Sequence, residues 1–360
     1  MIVPPGSTIG IVGGGQLGRM LALAAARLGY RCHVIAPDRG CPASDVAAEF
    51  TCADYDDRSA IGRFARAVDV ATYEFENLPA GVLAELGAKL RPGPGSLAIA
   101  QDRAAEKTFI EGQGGRVARW IGIDSETDVA AAERELGLPL VLKTRRLGYD
   151  GKGQAWASDE ISPAEAWRAI GAEPAIAESA IDFAAEFSVI LARGENGETA
   201  AWDLPLNEHS GGILRRSTVP APDVVGAMAG EATAIAVRLA EALGHVGVIA
   251  VEFFATADGP VVNEIAPRVH NSGHWTIEGA ATSQFEQHVR AICGLPLGST
   301  ERSAESVTMD NLIGEEAAGW ARLLAEPGAH LHLYRKGEAR PGRKMGHVTR
   351  LRPRSGDGPN

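Results

Sequence analysis

Lys143-Thr144-Arg145-Arg146-Leu147-Gly148-Tyr149-Asp150-Gly151-Lys152-Gly153-Gln154 is a basic loop punctuated by three glycines, entered from the apolar run Leu140-Val141-Leu142. A strand that runs into such a loop offers bare backbone amides, which can wrap phosphates. Each glycine raises the entropy lost on ordering, so three in close succession weigh against the alternative of a merely solvated basic loop. The pattern is not a Walker loop: Arg146 stands five before Gly151, and Lys152 is followed by Gly153 instead of Ser or Thr. A phosphate cradle of another design is expected.

Downstream, residues 246–254 and 261–265 read as strands joined through Thr256-Ala257-Asp258-Gly259, a good hairpin turn. With the turn centred between Ala257 and Asp258, Glu252 comes nearly opposite Glu264, the side chains about 5 Å apart on one face. Their neighbours look buried, so the two carboxylates would repel strongly without a cation or a shared proton. Magnesium suits such a pair, since it favours a few carboxylate oxygens together with substrate phosphates. One glutamate turned outward to solvent is the plain alternative.

Upstream, residues 8–12 read as a buried strand, 13–18 as a tight turn and 19–28 as a helix; 31–36, 59–67 and 68–73 then repeat strand, helix, strand. That alternation builds a doubly wound parallel α/β sheet. Gly13-x-Gly15-x-x-Gly18, with Asp38 near the distance of a ribose-binding acid, satisfies the dinucleotide fingerprint. The same glycines would serve any phosphate at a helix N-terminus, or simply let a helix pack closely. The Pro/Gly-rich break at 91–96 places a domain boundary near residue 95, followed by a charged helical stretch at 101–111. Strands at 139–144, 187–191 and 246–254 with a helical run at 225–243 suggest an α+β body. The tail from about residue 300 carries Arg335, Lys336, Arg340, Arg343 and Lys344. The expected domains are therefore 1–95, 96–300 and 301–360, with the polar end 354–360 frayed.

Composition narrows the function. The chain has 360 residues, 45% of them hydrophobic, enough for two or three cores. A net charge of -11 argues against nucleic acid as a partner and requires a local cluster of donors for any anionic ligand. Cys32, Cys41, Cys52 and Cys293 are scattered with no C-x-x-C pair, which fits reduced thiols in the cytoplasm and excludes an obvious zinc framework. The apolar stretch 20–28 is short and interrupted by Arg27, so neither export nor a membrane span is expected. An NAD-dependent oxidoreductase leaves the second glycine loop and the glutamate pair unexplained. A non-enzymatic nucleotide sensor should have lost catalytic residues.

The loop 143–154, Glu252, Asn263-Glu264 and Ala266-Pro-Arg-Val-His-Asn-Ser-Gly-His-Trp275 together resemble the ATP-grasp superfamily. Gly13-Gly-Gly-Gln-Leu-Gly-Arg-Met20, Tyr73-Glu-Phe-Glu-Asn77, Ser283-Gln-Phe-Glu-Gln-His288 and Arg340-Pro-Gly-Arg-Lys-Met-Gly-His347 narrow the likeness to the N5-carboxyaminoimidazole ribonucleotide synthetase family of purine biosynthesis. The resemblance spans residues 10 to about 348. It implies a Rossmann-like N-terminal (pre-ATP-grasp) domain, a central ATP-grasp domain and a small C-terminal domain.

By position, the resemblance implies that Arg103, Lys107, Lys143, Gly148, Tyr149, Asp150, Gly151, Lys152, Gly153, Gln154, Glu178, Ser179, Ala180, Ile181, Glu186, His209, Asn263 and Glu264 bind ATP, and that Glu252 and Glu264 ligate magnesium. Leu206-Asn207-Glu208-His209 is shorter than the usual version of that segment. The ribonucleotide would sit near Gly15, Gln16, Leu17, Glu74, Tyr149, Asp150, Arg268, His270, Asn271, Lys336 and Arg343, so the first glycine turn faces a substrate instead of NAD. The implied chemistry is attack of bicarbonate on the γ-phosphate of ATP to give carboxyphosphate, followed by carboxylation of the exocyclic amine of 5-aminoimidazole ribonucleotide. Lys143 belongs to the catalytic set as a neutraliser of phosphoryl charge. Asp150 is a candidate to receive the amine proton, or a surface salt bridge, and Arg268 could grip bicarbonate by two prongs. A homodimer is what the family suggests.

Overall fold

The computed structural model describes residues 2–148 and 151–354, and three sheets form among them. The first holds β1 (Thr8–Val12), β2 (Arg31–Ala36), β3 (Glu49–Cys52) and β4 (Val70–Tyr73), in the order β3-β2-β1-β4. All its pairings are parallel, as the strand, helix, strand alternation required. The helix expected at 19–28 begins earlier and spans Gln16–Arg27. Only Gly13 to Gly15 stay outside the helix, while Gly18 lies in it, where a Cβ would stand 2.9 Å from the Gly13 carbonyl oxygen.

The second sheet is antiparallel: β5 (Trp120–Ile123), β6 (Leu140–Thr144), β7 (Gln154–Ala157) and β8 (Ala175–Ser179), in the order β5-β8-β6-β7. The loop 143–154 joins β6 to β7, and Lys143 pairs in register with Gln154 at its base. The third and largest sheet contains β9 (Ala185–Arg193), β10 (Thr199–Ala201), β11 (Leu206–Ser210), β12 (Ile213–Val219), β13 (Gly247–Thr256) and β14 (Gly259–Ala266). The tail adds β15 (Ser306–Ile313), β16 (Ala329–Leu333) and β17 (Lys344–Arg352) to the same sheet, whose order is β14-β13-β9-β11-β12-β15-β17-β16. The tail therefore continues the central sheet through hydrogen-bonded pairing of β12 with β15.

The helical run expected at 225–243 is divided into Asp223–Gly226 and Ala229–Ala242, and the longer helix packs Ile235 and Leu239 with Phe187 and Phe253, which stack 5.2 Å apart across neighbouring strands. Burying each such side chain contributes about 1.5–3 kcal/mol. A second core joins Met20 and Leu21 of the first helix to Phe285, Val289 and Ile292 of the helix Gln284–Ile292. His288 on that helix bridges two sheets. Its Nδ1 accepts the Val248 N–H at 3.0 Å, which leaves Nε2 to donate to Thr72 Oγ1 at 2.8 Å. No helix among the described residues is long and apolar enough to cross a membrane.

Candidate active site

β1 and β4 run parallel with Val12 beside Tyr73, so both strands leave the same carboxyl end of the sheet, one into the glycine turn and the other into residues 74–77. Ligands in open α/β sheets collect outside such carboxyl ends. The helix Gln16–Arg27 has neither a side-chain cap nor an acid in its first turn. Buried Glu74 supplies the anion, its Oε1 accepting the Gly15 N–H at 2.7 Å. A Cβ on Gly13, whose φ is +118°, would lie 2.6 Å from Glu74 Cγ, and one on Gly15 would lie 2.9 Å from Glu74 Oε1. These glycines thus make room for a carboxylate at the helix N-terminus, where a dinucleotide would place its pyrophosphate. Asp38 serves its own turn, accepting the Gly40 N–H at 2.9 Å. Burial pushes the Glu74 pKa up, against the opposing pull of the Gly15 N–H and the charges of Arg268 and Lys336.

Beyond this turn opens a cavity of about 690 Å³, bordered by Gly15, Gln16, Leu17, Glu74, Gly148, Arg268, His270, Asn271, Lys336 and Arg343. Every residue expected around the ribonucleotide is thus gathered here except Tyr149 and Asp150, which lie outside the described residues. Gly148, expected beside ATP, borders this cavity. Arg268 is already fixed: Nη2 lies 2.9 Å from Glu76 Oε1, and Nη1 donates to the Val269 carbonyl at 3.0 Å. Glu76, Asn77, Gln101, Arg145, Arg340 and Lys344 also line the cavity. Sequence reasoning placed all of these but Gln101 inside quoted motifs without assigning any of them a role. Gln101 holds the 74–77 segment in place, its Nε2 donating to the carbonyls of Glu76 at 2.6 Å and Leu78 at 2.7 Å.

A second cleft of about 410 Å³ is bordered by Arg103, Lys143, Gly151, Lys152, Gln154, Glu178, Ser179, Ala180, Ile181, Glu186, His209, Glu252, Asn263 and Glu264. Two expected ATP residues stand behind its wall. Lys107 is 1% exposed, lies 3.0 Å from Glu178 Oε1 and donates to the Asn263 carbonyl at 2.8 Å. Gly153 closes the base of the loop, its carbonyl accepting the Thr144 N–H at 2.8 Å, and a Cβ there would crowd the Thr144 hydroxyl. An apolar wall of Val141, Trp156, Phe183, Leu214 and Phe254 completes the cleft, with Phe183 and Phe254 stacked 4.7 Å apart. Sequence reading missed this wall because the apolar residues of its strands look like core and Phe183 stands alone in the connection between β8 and β9. The partial exposure of Phe183 and Trp156 is visible only in the fold.

Four glutamates, Glu178, Glu186, Glu252 and Glu264, face four basic residues, Arg103, Lys143, Lys152 and Lys344, in this cleft. Lys143 Nζ donates to Glu178 Oε2 at 2.7 Å, and its pKa is lowered by burial and by nearby Lys107 and Arg103, against the pull of Glu178. Burial alone would raise the Glu178 pKa, but the two lysines bring it down to about 2. His209 stands 2.9 Å from Glu186; burial lowers its pKa, while Glu186 and Glu252 more than compensate and leave it raised.

The two cavities meet at Arg103, Lys152, Glu264, His270, Asn271 and Lys344, which border both. Here Glu252 and Glu264 are register partners, as expected, but through a bulge: Phe253 pairs with Val262, then Glu252 pairs with Glu264. Arg103 Nη1 donates to Glu264 Oε2 at 3.2 Å. His270 Nδ1 accepts the Ser272 N–H at 3.3 Å, so Nε2 carries the proton toward Glu252 Oε1, 3.1 Å away. Burial and the Glu264 charge push the Glu252 pKa up. Burial also opposes ionisation of Glu264, but Arg103 and Lys143 prevail and hold it down. Buried Asn263 Oδ1 has no hydrogen-bond partner among the described residues. Two carboxylates with an orphaned amide oxygen form a hard donor set that fits magnesium. Among the described residues no group of three or more His, Cys, Asp or Glu side chains is arranged to hold a metal, so phosphate and water oxygens would complete the shell.

The ATP-grasp domain family matches residues 108–285, the ribonucleotide synthetase preATP-grasp domain residues 6–101, and the phosphoribosylaminoimidazole carboxylase C-terminal domain residues 307–357. The chain is 51% identical over 356 residues to the N5-carboxyaminoimidazole ribonucleotide synthase of Brucella melitensis, covering 98% of each. An ADP complex of an N5-carboxyaminoimidazole ribonucleotide synthetase superposes with a TM-score of 0.92 at 45% identity, over 97% of this chain and 93% of that one. The Aspergillus clavatus N5-carboxyaminoimidazole synthase, solved with ADP and 5-aminoimidazole ribonucleotide, gives 0.90 at 31% identity, over 96% of this chain and 94% of that one.

Proposed function

Because the chain belongs to the N5-carboxyaminoimidazole ribonucleotide synthetase family of the ATP-grasp superfamily, we infer that it carries out the ATP-dependent carboxylation of 5-aminoimidazole ribonucleotide in purine biosynthesis. It is an ATP-dependent ligase. The observation that carries this reading is the meeting of two cavities, one with an apolar wall and buried lysines, the other rimmed by arginines, at a shared set of charged residues. We assign ATP to the smaller cleft, its base against Phe183 and Phe254 and its phosphates toward Lys143 and Lys152. The ribonucleotide takes the larger cavity.

Bicarbonate is the proposed carbon source. One of its oxygens attacks the γ-phosphorus and ADP leaves, giving carboxyphosphate. The exocyclic amine then attacks the carboxyphosphate carbon, phosphate leaves, and the amine proton passes to a base. Arg103, Lys143 and Lys152 neutralise the transferring phosphoryl group, and their fixed positions lower the reorganisation the step requires. Magnesium held by Glu252 and Glu264 would add positive charge at the same group. Arg268, anchored by Glu76 and the Val269 carbonyl, keeps one N–H on each terminal nitrogen for an oxyanion. Asp150 is our candidate proton acceptor. The glycine loop and the tail would keep water from an intermediate that hydrolyses easily.

The expected domain limits of 1–95, 96–300 and 301–360 are proposed on the support of the three matched families, a homodimer on that of the resemblance, and a cytoplasmic location on that of the four free cysteines. Glu264→Gln tests the metal assignment. Magnesium-dependent turnover should fall by about a hundredfold or more while the urea midpoint is kept, and an unchanged rate would refute the assignment.

A further inference from the structure

Glu106 has no part in the reaction above, yet it is 2% exposed and borders the larger cavity. It lies on the helix Arg103–Gly112, and Arg103, Glu106 and Lys107 share one face of that helix by their spacing. The face meets β14, the edge strand of the large sheet, whose outer backbone is met outside the strand order, the Val262 N–H donating to the Arg116 carbonyl at 2.7 Å. Glu106 Oε1 accepts the Ile265 N–H at 2.6 Å, and Lys107 Nζ donates to the Asn263 carbonyl at 2.8 Å. Consecutive helix residues therefore grip the chain on both sides of Glu264, while Arg103 holds its carboxylate.

The grip coincides with the bulge. Phe253 pairs with Val262 and Glu252 with Glu264, so Asn263 is the extra residue. In an unbulged ladder Glu252 would face Asn263, and Glu264 would project from the other side of the sheet. A bulge on an edge strand leaves backbone groups unpaired, and they must find partners elsewhere. We propose that Glu106 is a positioning residue: by accepting the Ile265 N–H it holds the bulge that sets Glu264 opposite Glu252. The proposal rests on the reading of Glu264 as a ligand of magnesium and phosphate.

The test compares Glu106→Gln, which keeps an acceptor oxygen at the same reach, with Glu106→Asp, which keeps the charge but is one methylene short, and with Glu106→Ala. Two readouts are taken on the full chain: amide hydrogen exchange at Ile265 without ligand, and steady-state kinetics with magnesium varied. The Gln variant should keep wild-type protection at Ile265 and turnover within about threefold. The Asp and Ala variants should exchange Ile265 at least about tenfold faster, with kcat reduced about tenfold or more at little change in the ribonucleotide KM. If Ala fails to fold, the Asp and Gln pair still decides. Unchanged Ile265 exchange in the Asp variant would overturn the clamp. Equal loss of turnover in Gln and Asp, with exchange kept in Gln, would overturn it in favour of a proton-carrying role. Faster exchange with unaltered magnesium-dependent turnover would overturn the role of Glu264 instead, and with it the clamp's purpose.

Discussion

Lys143 Nζ donates to Glu178 Oε2 at 2.7 Å deep in the wall of the smaller cleft, and the other oxygen of that carboxylate faces Lys107 Nζ at 3.0 Å. One carboxylate thus steadies two buried lysines, with Arg103 raising the local positive charge further. The arrangement is poised for an anion. Glu178→Gln should leave two like charges buried without their shared partner and destabilise the free protein by about 3 kcal/mol or more. Urea unfolding with and without ADP measures this, and ADP should recover part of the loss by supplying phosphate charge.

The same pair sets a pH response. With a folded pKa of about 2, Glu178 contributes stability that is present above its unfolded value and lost as pH falls from about 4.3 toward 2. Buried neutral histidines act at higher pH. His288, held at about 3, and His245, at about 4, bind protons only after unfolding, so stability falls as pH drops below about 6.5. Each can contribute up to about 1.4 kcal/mol per pH unit. His288→Asn keeps an acceptor near the Nδ1 position and removes the titration, so its unfolding free energy should vary less between pH 6.5 and 4.5 than that of the native protein.

The aromatic wall offers a separation of sites. Phe254→Ala removes one face of the Phe183 and Phe254 stack, and loss of stacking on an adenine base is worth about 1–3 kcal/mol. ADP affinity by calorimetry should drop by about tenfold or more, while the ribonucleotide KM stays near its native value. An equal change in both constants would show that the two cavities are not used as assigned.

The dinucleotide reading is tested by titration. Glu74 occupies the helix N-terminus that a pyrophosphate would need, so NAD should give no heat where ADP with magnesium binds. Saturable NAD binding abolished by Gly15→Ala would restore the rival.

Much of this was legible in the sequence for physical reasons. β1 and β2 match the buried runs at 8–12 and 31–36, because a parallel strand covered on both faces reads as continuous apolar sequence. The pairing of Glu252 with Glu264 followed from one hairpin turn, although counting residues from the turn could not reveal the bulge that completes it. The role of Glu74 was hidden, since a remote carboxylate capping a helix leaves no local pattern. Phe254 and Trp156 were hidden for the opposite reason, since their local pattern is that of any strand, and Phe183 is a lone aromatic in the connection between β8 and β9. Glu106 read as part of a charged helix and Lys107 was expected at ATP, and only the docking of that helix on an edge strand buries both.

Carbon transfer coupled to nucleotide cleavage tests the central claim most directly. With ATP, magnesium and isotopically labelled bicarbonate, the rate of ADP release and the label in acid-labile carbamate are followed with and without 5-aminoimidazole ribonucleotide. The account predicts that the ribonucleotide sharply accelerates ADP release and that label appears in step with ADP. The same ADP rate with the ribonucleotide omitted, or acceleration without labelled carbamate, would contradict it.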